Sequence, residues 1–243
     1  MKTSIKKQTV LLIATLLFAI TTHAQWRKVK GNGNMTTITR TTSDYDGIKC
    51  AGSFDYVLVK GTEGNIKIEG EENLLEYIIT EVKNNNLIVK VKNGTNLKTS
   101  FNKGIKITIP FKEISSASLS GSGDLWNEDS INTSNFDVSL SGSGDITLEV
   151  NTTSIKASIS GSGDLKLKGN TTNLEARVAG SGDFHGFDLQ SNNTDVAVAG
   201  SGDARVVSKE TLKARVAGSG DIVYRGNPEK EDTKVAGSGS ISN

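Results

Sequence analysis

Gly161-Ser162-Gly163-Asp164-Leu165-Lys166-Leu167-Lys168-Gly169-Asn170-Thr171-Thr172-Asn173-Leu174-Glu175-Ala176-Arg177-Val178-Ala179 is one period of a repeat, because the tetrapeptide that opens it returns at Gly180. Gly-Ser-Gly-Asp starts at Gly121, Gly142, Gly161, Gly180, Gly200 and Gly218, and a further copy at Gly237 ends in Ser240. The intervals are 21, 19, 19, 20, 18 and 19 residues. Such a period is too short for two helices and long enough for one coil of a β-solenoid.

Aligned on the first Gly, the columns alternate. Two residues before it stand Leu119, Leu140, Ile159, Val178, Val198, Val216 and Val235, and four before it stand Ala117, Val138, Ala157, Ala176, Val196, Ala214 and Thr233. That is a strand with one buried face. Leu125, Ile146, Leu165, Phe184, Ala204, Ile222 and Ile241 follow the tetrapeptide and open a second strand. Asn151-Thr152-Thr153, Asn170-Thr171-Thr172 and Asn192-Asn193-Thr194 read as polar turns between them. About 19 residues at ~3.3 Å each give a perimeter of roughly 63 Å, a narrow tube that admits modest side chains. The scarcity of proline, Pro110 and Pro228 alone, suits stacked coils whose every backbone amide has a partner.

The fold class expected is therefore all-β: a parallel β-helix-like solenoid over residues 116–243, preceded by a more irregular β-rich part at 25–115. In that part, strands are expected at Tyr56–Lys60, Asn65–Glu69, Leu87–Lys92 and Ile105–Ile109, with a helical turn or two at Glu72–Ile79. Ala51-Gly52-Ser53-Phe54-Asp55 reads as a degenerate copy of the Gly-x-x-Asp corner, which makes this part a wider cap on one solenoid end. Residues 1–24 read as a signal peptide: Lys2, Lys6 and Lys7, an apolar run from Val10 to Ile20, and Thr22-His23-Ala24 before Gln25. Eleven apolar residues are too few to span a bilayer, which takes about 20. The expectation is export to the periplasm, the outer surface or the medium, with no membrane-spanning segment.

Without residues 1–24, 25 basic side chains face 27 acidic ones, and nothing steers toward nucleic acid. Cys50, the one cysteine, can form no internal disulfide and reads as a small buried hydrophobe. His185 is the one histidine after cleavage, so clustered-His metal sites are not expected.

The signal peptide, the run Gly52-Ser53-Phe54-Asp55-Tyr56-Val57-Leu58-Val59, the segment Glu72-Asn73-Leu74-Leu75 and the Ser/Ala-Gly-Ser-Gly-Asp ladder together resemble the bacterial family described as putative auto-transporter adhesin, head GIN domain. The resemblance runs over roughly Tyr45 to Gly226. It implies an all-β, helix-like fold in exported proteins of Bacteroidetes-type bacteria and an adhesion role. It supplies no catalytic residues, and no membrane β-barrel translocator is read in this sequence.

Stacking would place Asp124, Asp145, Asp164, Asp183, Asp203 and Asp221 about 4.8 Å apart, where neighbouring charges repel by about 1 kcal/mol in water. The ladder therefore needs donors, raised pKa values or cations. Calcium is the cation reading, by analogy with Gly-Asp-rich β-rolls, but those repeat every nine residues and supply more oxygens per ion. Backbone and Ser-hydroxyl donors at each corner are the reading preferred, with no cofactor. A phosphate loop is excluded because no helix and no Gly-Lys-Ser/Thr follows any copy. Ser122 and its equivalents are too alike to supply one nucleophile.

The column two residues after the Asp holds Trp126, Lys166, His185 and Arg205, and the column three before the first Gly turns basic at Arg177 and Arg215. These six form the candidate ligand face for an anionic glycan or other cell-surface ligand. The function expected is a non-enzymatic binding or adhesion module. Its rivals are an envelope component without a ligand and a polysaccharide-active β-helix enzyme, for which no distinctive acid–base cleft is found. The unfinished last coil also leads to an expectation of end-to-end homodimerisation, or docking of another β-chain, through Lys234–Asn243.

Overall fold

The structure is a computed structural model describing residues 27–243, and the expected signal peptide lies outside the described residues. The stack starts earlier than the exact repeats do. Strands β1 (Gly47–Gly52) and β2 (Asp55–Lys60) flank the Gly52 corner and form a first coil. Strand β3 (Ser116–Gly121) lies parallel on β1 with Gly121 opposite Gly52, and β4 (Leu125–Asn127) lies parallel on β2 with Leu125 opposite Tyr56. The degenerate copy is thus a true corner of the solenoid.

From there the coils rise in register as β5 (Ile131–Gly142), β6 (Ile146–Gly161), β7 (Leu165–Gly180) and β8 (Phe184–Gly200). The last two coils break into β9 (Ala204–Val207), β10 (Thr211–Gly218), β11 (Ile222–Arg225), β12 (Lys230–Gly237) and β13 (Ile241–Ser242). The result is a β-solenoid of about 7 turns. The polar turns expected at Asn151 and Asn170 stay inside the sheet, where Asn151 pairs with Asn170 and Thr152 with Thr171. These segments stack in register from coil to coil, so pairing continues through them. Asparagine amides reinforce it, Asn170 Nδ2 donating to Asn151 Oδ1 at 3.0 Å.

The interior columns are those the alternation marks: Leu119, Leu140, Ile159, Val178, Val198 and Val216 are all buried, as are Leu125, Ile146, Leu165, Phe184, Ala204 and Ile222. Full burial of such side chains stabilises by about 1.5–3 kcal/mol each, which fixes register because a slip of one residue would turn the column outward. Cys50 belongs to this core, and burial pushes its thiol well up.

The corner glycines have two different jobs. The first has a left-handed backbone, with φ of +139° at Gly161. The second does not, but a Cβ on Gly163 would stand 1.9 Å from the Gly144 carbonyl oxygen of the coil below. The first is required on both counts, since a Cβ on Gly161 would also stand 2.2 Å from the Gly142 oxygen, and the second by close approach alone.

Residues 61–115 leave the stack between the first and second coils. Strands β14 (Asn86–Val91) and β15 (Lys106–Phe111) pair parallel beneath β1 and β2. Antiparallel strands then close the end: β16 (Ile78–Lys83) on β14, β17 (Asn65–Glu71) on β15, and β18 (Met35–Thr41) on β17. The helix, α1 (Glu72–Leu75), is one turn and shorter than expected, since Ile78 already belongs to a strand. A separate two-stranded parallel sheet joins β19 (Arg27–Lys30) to β20 (Thr95–Lys98). At the other end of the stack, β12 pairs with β10 and, among the described residues, its outward edge has no strand partner.

Candidate functional site

Each corner carboxylate holds the coil above. Asp145 Oδ1 accepts the Asp164 amide at 2.9 Å, Asp164 Oδ1 that of Asp183 at 2.9 Å, and Asp183 Oδ1 that of Asp203 at 2.8 Å. Asp124, Asp203 and Asp221 do the same for Asp145, Asp221 and Ser240. The donors are backbone amides of the next coil. Among the described residues a corner serine hydroxyl contributes only at Ser240, which donates to Asp221 Oδ1 at 2.9 Å. At the base of the ladder, burial and the charge of Asp124 raise the pKa of Asp55.

The six residues of the expected ligand face do not share one surface. Lys166, His185 and Arg205 stand on consecutive coils in one column. Trp126 occupies the same column with Thr147 between it and Lys166, and Lys106 lies 5.7 Å from its ring centroid. Arg177 and Arg215 project from the strands that precede the corner, and neighbours occupy them. Arg177 Nη1 pairs with Asp195 Oδ1 at 3.0 Å and Nη2 with Glu175 at 3.1 Å, while Arg215 is bound to the carboxylate and carbonyl of Asp232. Cations held in this way brace adjacent coils.

Around Lys166 the lattice breaks. Lys166 pairs with His185, but Lys168 pairs with Asp188, so β8 carries one extra residue between them. A bulge of this kind re-aims side chains. Only glycine fits at Gly186, where a Cβ would meet the Phe184 ring at 2.6 Å and the Arg205 carbonyl at 2.9 Å. Phe187 is turned partly outward and stacks under Arg225, with the guanidinium carbon 3.9 Å from the ring centroid. Lys166, His185, Phe187, Asp188, Arg205 and Arg225 line an open groove of about 460 Å³. Lys166 Nζ is 3.5 Å from Asp188, the one carboxylate in that lining, which leaves Arg205 and Arg225 facing the groove.

Arg205 Nη1 lies 3.3 Å from His185 Nδ1, and His185 Nε2 lies 3.5 Å from Asp164 Oδ2. A guanidinium only donates, so a hydrogen bond with Arg205 requires Nδ1 to accept, the tautomer that turns an Nε2–H to Asp164. Asp164, Asp183 and His185 bring ligand atoms within 4.8 Å of one another. One oxygen of each carboxylate, however, already serves a corner amide.

Phe187, Asp188 and Arg225 were not among the residues expected. The signal for Phe187 and Asp188 is the interval of 20 between Gly180 and Gly200, one more than the period before it, whereas Arg225 lies two coils on, in one of ordinary length.

Coils and corner ladder together define a parallel β-solenoid with a groove at the bulge in β8. The chain belongs to the family described as putative auto-transporter adhesin, head GIN domain, which matches residues 44–228. A putative adhesin from Bacteroides fragilis NCTC 9343 shares 24% identity with it at a TM-score of 0.81, over 88% of this chain and 99% of that one. A putative lipid binding protein from Parabacteroides distasonis ATCC 8503 shares 27% identity at a TM-score of 0.72, over 89% and 99%. A putative adhesin from Parabacteroides merdae ATCC 43184 shares 22% identity at 0.70, over 89% and 98%. No curated protein matches the chain. Among the described residues no helix is long and apolar enough to cross a membrane.

Proposed function

We propose that this protein is an exported binding module of the adhesion type, and that it holds an anionic glycan in the groove at Lys166, Phe187, Arg205 and Arg225. The observation that carries the reading is the bulge at Gly186–Phe187, which interrupts a regular coil to place an aromatic ring beside Arg205 and Arg225, with Lys166 paired to Asp188 at the same groove. Lys166, His185 and Arg205 form a row along coils about 4.8 Å apart, and Arg225 stands two positions along its own coil from that row, stacked on Phe187. A linear glycan laid along that row would set its carboxylates against them and its ring faces on Phe187. Many weak contacts on a rigid array then sum to useful avidity. The adhesins of similar fold and the family description support binding over catalysis.

The test is binding of the mature protein to polygalacturonate, with neutral dextran as control. Tight, salt-sensitive binding to the former and none to the latter is expected, and Lys166→Glu/Arg205→Glu should abolish it. Retention of binding in that double variant would move the site elsewhere. Failure to bind any anionic polymer would favour an envelope component without a ligand.

A further inference from the structure

We propose that a second surface, the tip formed by Met35, Phe101, Lys30, Lys98 and Lys103, docks this protein on the headgroup layer of an anionic lipid bilayer. The sequence from Arg27 to Lys30 forms β19, whose alternation sends Val29 inward against the core and Lys28 and Lys30 outward. β20 does likewise, with Leu97 inward and Lys98 outward. Because these two strands are parallel and paired Lys30 to Lys98, both chains leave the sheet at the same end. The segments that follow carry Met35 and Phe101.

Those segments are knotted together by one buried carboxylate. Glu71 Oε1 accepts the Gly33 amide and the Ser100 hydroxyl, each at 2.6 Å, and its Oε2 accepts the Ser100 amide at 2.8 Å. The Lys103 amide donates to the Ser100 carbonyl at 3.1 Å, closing a turn with Phe101 at its crest. The ring is 91% exposed and Met35 is 49% exposed. Among the described residues the exposed large hydrophobics are these two and Val235, so two of the three sit on segments fastened to the same side chain. Lys28, Lys30, Lys98 and Lys103 make no ion pair among the described residues.

Lys30 and Lys98 are neighbours across the two strands and Lys103 closes the turn that carries Phe101, and cations flanking an exposed ring match the water–lipid boundary. The ring sinks below the headgroups while lysine stems lie along the acyl surface with their ammonium groups among the phosphates. A protein partner fits less well, since one ring and one thioether fall far short of the roughly 800 Å² that a stable interface buries on each side. The groove contributes none of these residues, so the two surfaces are independent.

The experiment is co-sedimentation of the mature protein with vesicles of phosphatidylcholine alone and of phosphatidylcholine mixed with phosphatidylglycerol. Binding to the mixed vesicles, weakened by salt, and not to the neutral ones is expected. Phe101→Ser should weaken it about tenfold or more, in line with the transfer energy of one aromatic side chain. Lys30→Glu/Lys98→Glu should remove it, and Phe101→Trp should show an emission blue shift on the mixed vesicles. Wild type that stays in solution, binds neutral vesicles equally, or loses nothing on Phe101→Ser would overturn the proposal. Phe101→Ser should leave polygalacturonate binding intact, which separates a failure at this tip from one at the groove.

Discussion

Replacing Asp164 separates the two things its carboxylate does. Its Oδ1 accepts the Asp183 amide at 2.9 Å, and Asp164→Ala leaves that half-buried donor without its partner. Loss of a buried acceptor costs about 1–3 kcal/mol. The side chain is 47% exposed, so water replaces part of the bond and the low end applies. Against this, the charge sits between Asp145 and Asp183, and its removal relieves about 1 kcal/mol of repulsion per neighbour at the coil spacing of ~4.8 Å in water. Salt screening reduces that relief. Cost and relief nearly cancel, so the Ala variant should stay within about 1 kcal/mol of wild type, while Asp164→Asn, which keeps an acceptor and drops the charge, should match or exceed wild type and stand above Ala. Urea unfolding followed by circular dichroism gives both midpoints, with and without calcium. An Asn variant less stable than the Ala variant, or a midpoint raised by calcium and returned by chelator, would show that the ladder holds cations rather than amides.

At the other half of the corner, Gly163→Ala should be far worse than Ser162→Ala, since its Cβ would stand 1.9 Å from the Gly144 oxygen; a loss of ~3 kcal/mol or more, seen as a melting shift of several degrees, is expected. The Glu71 carboxyl is pushed up by burial, but the hydroxyl and amide of Ser100 and the amide of Gly33 outweigh that and hold it below the usual range. A depressed carboxylate contributes stability that is present above its unfolded pKa of about 4.3 and is lost as pH falls through the folded value. Glu71→Gln should therefore flatten the acid limb of a stability-versus-pH curve below about pH 4, and an unchanged limb would count against the pinning. Mass spectrometry of protein from the native host should find Gln25 at the N-terminus, open or cyclised, and an intact Met1 would refute export.

The coil was legible because its constraints are local and recur. Glycine pairs at a fixed interval, apolar residues two and four before them, and an Asp after them fix corner, strand and face together. Even the imperfect copy at Gly52 could be read, since Phe54 there replaces the second glycine where no earlier Gly-Ser-Gly-Asp coil lies beneath it. The strands at Met35–Thr41 and Thr95–Lys98 escaped because their alternation is largely polar and their partners lie far away in sequence. The groove was half visible. A column can be read from spacing, but an interval of 20 does not say where within the coil the extra residue falls. Arg177 and Arg215 misled for a related reason: the acids that occupy them, Asp195 and Asp232, lie a full coil onward, near in space and distant along the chain.

Each corner of the repeat bonds to the coils directly beneath and above it, as Ser162 and Gly163 donate to the Gly142 carbonyl and Leu165 donates to that of Asp183. Length is therefore a free variable of this architecture. Excising one whole coil joins two like surfaces and changes nothing beyond its own neighbours, so the number of coils can grow or shrink by duplication and deletion without refitting the rest. The groove is the exception. Its six side chains come from coils that differ in length, and a change of one coil there alters which cations meet the ring. A lineage can thus vary how far such a rod reaches while its contact point stays under a separate constraint.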